Sequence, residues 1–195
     1  MILIMEKLKD NHVREELMKK LQEECLIQPD TRIVSEMCVC RGTSRVDIVV
    51  INGVIHGYEI KSESDTLIRL PSQVSDYNRV FDRVTIVTAH DYLEKVREIV
   101  PEWWGIISVT NKNGKAVLKK MKKGRKNPSQ DALALVQLLW KDEALSILKE
   151  RGLHKGYLSK PKQQIFERLA QMVPLKELRL EVNKLLKRRE GWRVH

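Results

Sequence analysis

Two β-rich runs, residues 45–51 and 54–61, flank Asn52-Gly53, a strong short-range hairpin signal. One run carries Asp47 and the other carries Glu59 and Lys61, so the hairpin register decides whether these groups can meet. A strict two-residue loop pairs Ile51 with Val54 and Asp47 with Tyr58, which sends Glu59 to the opposite face. A three-residue loop, Ile51-Asn52-Gly53 with Gly53 left-handed, pairs Val50 with Val54, Asp47 with Gly57 and Arg45 with Glu59. Asp47 and Glu59 then become diagonal neighbours on one face, and Gly57 leaves room between them. The expectation is that loop, or an equivalent bulge near Gly57.

Residues two apart on a strand leave the same face, so Glu59 and Lys61 can share one pocket. Asp47 sits in an apolar strand, where a lone ionised carboxylate costs several kcal/mol in desolvation unless a cation or donor offsets it. Two carboxylates on neighbouring strands offer hard oxygen ligands that suit Mg2+ or Mn2+. Such an ion polarises a scissile phosphate and lowers the pKa of a bound water, and a lysine beside it orients that water and offsets developing charge. The spacing alone also suits a solvated Glu-x-Lys pair on an edge strand.

The surrounding pattern supplies the fold. Val13, Leu17, Met18, Leu21 and Cys25 recur at helical spacing, which predicts a helix over residues 11–25. Strands are predicted over 32–40, 45–51 and 54–61, a helix over 72–81 and a buried strand over 83–89. Asp91 can cap a helix that ends before Pro101, and 103–110 with 116–120 reads as a second hairpin. The fold class is α/β, with an αβββαβ core and a mixed sheet, followed by a small all-α basic region.

At this point the chain resembles the PD-(D/E)XK nuclease superfamily, in the match of Asp47 and Glu59-Ile60-Lys61 to its signature and in the order of elements. Gln73 and Tyr77, four apart on one helix face, resemble the Gln-x-x-x-Tyr element of its RecB-type members. The runs Arg45–Gly53, His56–Ser62, Asp65–Leu67, Arg69–Pro71 and Trp103–Ile106 also resemble a family of small bacterial and phage proteins. The superfamily resemblance implies a restriction-endonuclease-like core. It implies that Asp47, Glu59 and the backbone of Ile60 hold the metal and that Lys61, Gln73 and Tyr77 complete the catalytic set. A third carboxylate is expected from the first helix or nearby, and Glu15, Glu16 and Glu36 compete for that role.

Formal net charge is +10, and its distribution is uneven. Residues 119–195 hold 20 Lys or Arg against 8 Asp or Glu, which leaves 16 against 18 before them. A basic region appended to a near-neutral one suits polyanion binding. Residues 119–128 carry six basic side chains, a Gly and a Pro, and read as a linker between a domain over 1–118 and a helical region over 129–195. Ser129 is an N-cap candidate for the pattern Leu133, Val136, Leu139 and Trp140, with further helices over 141–151, 160–172 and 174–188. Residues 145–169 resemble the helix, extended loop and helix of SAP-like DNA-binding modules. Lys119, Lys120, Lys122, Lys123, Arg125, Lys126, Lys155, Lys160, Lys162 and Arg168 are the expected phosphate contacts. Lys184–Arg189 with Trp192 and Arg193 forms a second basic cluster.

Cys25, Cys38 and Cys40 are too few and too unevenly spaced for a disulfide scaffold or a zinc clip. No apolar run approaches the ~20 residues of a membrane span, and Met1–Met5 lacks the features of a secretory signal, so a cytoplasmic location is expected. The leading expectation is a metal-dependent DNA endonuclease, with RNA not excluded as substrate and a homodimer compatible with cutting both strands. A DNA-binding protein that keeps the fold without cutting is the alternative, and an acidic-partner-binding domain a remoter one.

Overall fold

The computed structural model describes residues 8–28 and 30–192. It begins with the expected αβββαβ order: α1 (Asp10–Leu26), β1 (Arg32–Val39), β2 (Ser44–Ile51), β3 (Ile55–Lys61), α2 (Leu70–Val80) and β4 (Arg83–Ala89). There follow α3 (Leu93–Ile99), β5 (Gly105–Lys112), β6 (Lys115–Lys122), and four helices, α4 (Ala132–Val136), α5 (Lys141–Glu150), α6 (Lys162–Met172) and α7 (Leu175–Arg188). The strands form one six-stranded mixed sheet in sequence order. β3 pairs parallel to β4 and β4 to β5, and the neighbours outside them pair antiparallel. Parallel neighbours need crossovers, and α2 and α3 supply them. β4 is covered on both faces and accordingly reads as an unbroken buried run from Val84 to Ala89.

The two faces have different covers. α1 lays Val13, Leu17 and Leu21 against Ile48, Val50, Tyr58, Ile60, Val87 and Ile107. On the opposite face, Val49, Ile51, Ile55, Val84, Ile86 and Ile106 share a larger core with α2, α3 and the C-terminal helices. Each such aliphatic side chain contributes about 1.5–3 kcal/mol when fully buried. Because Leu135, Leu148, Phe166, Leu178 and Leu186 belong to that same core, the helical region is packed onto the sheet layer.

The segment read as a linker is not one. Residues 119–122 finish β6, and the chain beyond them is pinned to the end of α2. Asn127, almost fully buried, donates through Nδ2 to the carbonyls of Asn78 (2.7 Å) and Phe81 (2.8 Å), while Gln130 donates to that of Val80. These side chains satisfy carbonyls that the helix terminus leaves orphaned. The basic composition is therefore compatible with fixed structure, because the lysines point outward while the amides are turned in. The cap of α4 is Asp131, whose Oδ1 accepts from the Ala134 N–H at 2.7 Å, rather than Ser129. Trp140 precedes α5, and Glu143 reaches back to accept its backbone N–H.

Candidate active site

The β2–β3 loop has three residues, as expected, but they are Asn52-Gly53-Val54, one position later than predicted. Ile51 pairs with Ile55, Val50 with His56 and Val49 with Gly57. The shift keeps Ile51 in the strand, where it is fully buried beside Ile55, instead of spending it in the turn. Gly53 takes φ of 96°, and its N–H reaches Asn183 Oδ1 on α7 at 3.3 Å. Moving the register by two preserves side-chain parity, so Asp47 and Glu59 still share a face. Strand pairing ends at Ile48–Tyr58, and one step further the Ile60 N–H donates to Asp47 Oδ2 at 2.7 Å. The pairing of Asp47 with Gly57 is thus corrected. Gly57 lies against the Phe81 ring, where a Cβ would come within 3.1 Å of ring carbons, so its small size serves the core and not an ion.

Glu59 and Lys61 are both buried, at 2% and 6% exposure. Lys61 Nζ donates to Glu59 Oε1 at 2.6 Å, and Gln73 Nε2 donates to the same oxygen at 2.6 Å. Tyr77 Oη donates to Glu59 Oε2 at 2.6 Å and lies 2.9 Å from the Arg45 carbonyl. α2 delivers both partners because residues four apart present one face to the sheet, and Pro71 starts the helix so that Gln73 and Tyr77 fall on it. Burial, and then the neighbouring Glu59 charge, push the Tyr77 phenol well above its ordinary range, so it stays a donor. Gln73 Oε1 is buried without a partner.

Asp47 has a different set of contacts. Arg14 of α1 places Nη2 2.7 Å from Asp47 Oδ1 and 2.8 Å from Glu36 Oε1, its Nη1 donates to the Asp47 carbonyl, and its Nε pairs with Asp10. Glu36 also pairs with Arg45 at 2.8 Å. Glu36 has φ of 56°, a left-handed conformation that costs a glutamate about 1–2 kcal/mol. Around it the inward alternation changes phase, since Val34 and Met37 belong to the same core, and its carboxylate meets the same Arg14 nitrogen as Asp47 does. Burial first, and then the Glu59 charge, raise the Asp47 carboxyl to about 7 against the pull of Ile60 and Arg14.

These groups line a polar cavity of about 470 Å3 that also takes in Asp65, Arg69 and Ser72. Glu36 is therefore the competing carboxylate that reaches the site. Glu15 and Glu16 are exposed, and Glu16 lines a separate hollow with Lys19 and Val117. Among the described residues no three His, Cys, Asp or Glu side chains are gathered so as to hold a metal. The donor chemistry nevertheless fits one hard cation: two adjoining carboxylates, one with its proton affinity raised, and an orphaned amide oxygen beside them.

A second hollow of about 420 Å3, lined by Arg41, Trp140, Lys162, Arg189 and Trp192, shares Glu36, Cys38 and Gly42 with the first. Arg41 also donates to Gln163 on α6, so the helical region reaches the mouth of the site. Lys162 lies over the Phe166 ring at 5.0 Å and Arg168 over Tyr157 at 5.3 Å. Lys155 and Lys160 are exposed on the α5–α6 connection, and Arg125 pairs with Glu102. Lys119 and Lys126 are exposed, while Lys120, Lys122 and Lys123 line a cavity under α1 that shares no residue with the site. Trp192 packs on Arg189, and Arg193 lies outside the described residues, as do Met1–Met5.

With this geometry in view, the comparison with known families is decisive on kinship: the model of the family described as bacteriophage P4 protein cII matches residues 4–192. The chain belongs to that family. Protein cII of Enterobacteria phage P4 is 28% identical over 148 residues, which cover 76% of this chain and 56% of that one. The chain thus spans a little over half the length of its curated relative. A solved structure, the SPO1766 protein of unknown function from Silicibacter pomeroyi, overlaps 69% of this chain and 89% of that one at 18% identity and a TM-score of 0.39. Among the described residues no helix is long and apolar enough to cross a membrane.

Sequence reasoning missed Arg14 and the part played by Asp10. The available signal was weak: an Asp10/Arg14 pair at helical spacing beside the buried stripe of α1.

Proposed function

We propose that the chain is a metal-dependent nuclease of the PD-(D/E)XK type that hydrolyses phosphodiester bonds in DNA in the cytoplasm. The observation that carries this reading is the convergence of Asp47, Glu59 and Lys61 in one polar cavity, with Gln73 and Tyr77 fixing Glu59. Asp47 and Glu59 would hold Mg2+ or Mn2+, which when bound acts as a Lewis acid on a phosphoryl oxygen and lowers the pKa of a water. Glu59 is held rigidly by three donors. Lys61 sits at the cavity floor, where it would offset the charge that develops on a phosphorane-like transition state and orient the attacking water. Arg41 and Lys162 would hold backbone phosphate along the adjoining hollow, and Lys155 and Lys160 would do so from the α5–α6 connection.

One contact favours a second reading, a DNA-binding protein that does not cut. Arg14 already neutralises Asp47 and Glu36, as a structural cation would. Purified protein incubated with plasmid, linear duplex and single-stranded DNA separates the two. Cleavage with Mn2+ that stops with chelator, and is lost in Lys61→Ala while DNA binding remains, is the result expected. Binding without cleavage across metals and substrates gives the second reading, and full activity in both Asp47→Ala and Lys61→Ala would overturn the first.

A further inference from the structure

On the opposite face of the sheet, away from Asp47, a cavity of about 270 Å3 opens between α1, β3, β4 and β6. Five cationic side chains line it, Lys20, Arg83, Lys120, Lys122 and Lys123, against one carboxylate, Glu24. Among the described residues none of the five forms an ion pair. That contrasts with Arg14 and Arg45 beside Asp47, both of which pair with carboxylates. Five like charges gathered in one hollow with a single carboxylate among them repel one another, and the arrangement is relieved by an anion. A register irregularity at Ile106/Ile107 sets Lys120 opposite Ile107 and Lys122 opposite Ile106, so β6 brings two lysines to the same rim.

The interior of the cavity has a different character. Leu17, Leu21, Val50 and Ile107 give it apolar walls, and the stacked rings of His56 and Tyr58, 4.3 Å apart, lie at its base. Both nitrogens of His56 are engaged, Nε2 with Thr85 Oγ1 at 2.9 Å and Nδ1 with Tyr58 Oη at 3.3 Å. Burial and the adjacent Arg83 push His56 down to about 3, so the base of the cavity is neutral while its rim is cationic. A ligand matched to both has a flat apolar body and a polyanionic end. At about 270 Å3, just below the ~300 Å3 at which pockets for drug-sized molecules begin, the cavity has room for a base and sugar with the phosphates left at its rim, and none for a duplex.

We propose that this cavity binds a nucleoside phosphate, its base against His56 and Tyr58 and its phosphates among Lys20, Lys120, Lys122 and Lys123. This site is separate from the candidate active site, and the proposal does not depend on nuclease activity.

The test is calorimetric titration of the full chain with ADP, with pyrophosphate and with a short duplex DNA. Chelator is present throughout, so that a metal-bridged phosphate at Asp47 makes no contribution. ADP is expected to bind, unchanged in Asp47→Ala and in Lys155→Glu but at least tenfold weaker in Lys120→Glu/Lys122→Glu. Lys20→Glu, on α1, is a second variant that leaves β6 untouched, and the same weakening is expected. No heat with millimolar ADP overturns the proposal, as does binding unaffected by either variant. Pyrophosphate binding as tightly as ADP would remove the nucleoside from it. A response to duplex DNA alone, lost in the same variants, would make this face a nucleic-acid surface and overturn the pocket.

Discussion

Arg14 Nη2 stands 2.7 Å from Asp47 Oδ1, so a helix bridges the carboxylate on which the proposed metal site depends. An arginine and a divalent ion compete for that oxygen. Arg14→Gln is expected to destabilise the metal-free protein by about 1–3 kcal/mol, the usual effect of leaving a half-buried charged partner unsatisfied. The same variant should gain more thermal stability from Mn2+ than the unaltered protein does, because ligand binding to the folded state raises Tm by mass action. Equal Mn2+ responses in the two proteins would count against competition at Asp47.

Tyr77 Oη donates to Glu59 Oε2 and lies 2.9 Å from the Arg45 carbonyl, which ties α2 to the site and to β2. Tyr77→Phe keeps the ring against Trp104 and Phe81 and removes only the hydroxyl. A loss of about 1–3 kcal/mol in urea denaturation is expected, since buried acceptors lose their donor. If the proposed cleavage holds, its rate should drop while DNA affinity stays the same.

Gly57→Ala separates a packing role from a role in the site. The added methyl meets Phe81 ring carbons at 3.1 Å, and overpacking of this kind costs about 1–3 kcal/mol. Chemical denaturation should show that loss, while cleavage per folded molecule remains. Abolished cleavage in a fully folded variant would restore Gly57 to the site.

His56 gives the fold a pH dependence of defined sign. Its folded-state pKa is lowered from about 6.5 to about 3 by burial and then by Arg83. The unfolded chain therefore binds a proton that the folded one refuses, and stability from this group is complete above about pH 6.5 and lost as pH falls toward 3. The slope approaches 1.4 kcal/mol per pH unit in that window. His56→Gln, which keeps hydrogen-bonding capacity without titrating, should lose about 2–3 kcal/mol less than the unaltered protein between pH 7 and pH 4.5, measured by urea denaturation without phosphate buffer. Parallel pH profiles would show that His56 charges freely in the folded state.

Local patterns were enough for the order of elements, because hydrophobic periodicity and turn residues act over a few positions: α1, the β2–β3 hairpin, α2 and β4 all stand where those patterns place them. Residue spacing also put Glu59 with Lys61, and Gln73 with Tyr77, on common faces. Other features needed distant chain. Burial of Ile51 and the contact of Gly53 with Asn183, 130 positions away, set the hairpin register. Pairing with β5 and contact with the end of α2 turned residues 119–128 from an apparent linker into the end of β6 and a cap for α2. Choosing Glu36 over Glu16, and bringing Arg14 onto Asp47, required a left-handed residue in β1 and the docking angle of α1. Sequence spacing determines which side chains share a face, and only tertiary packing decides which of those faces meet.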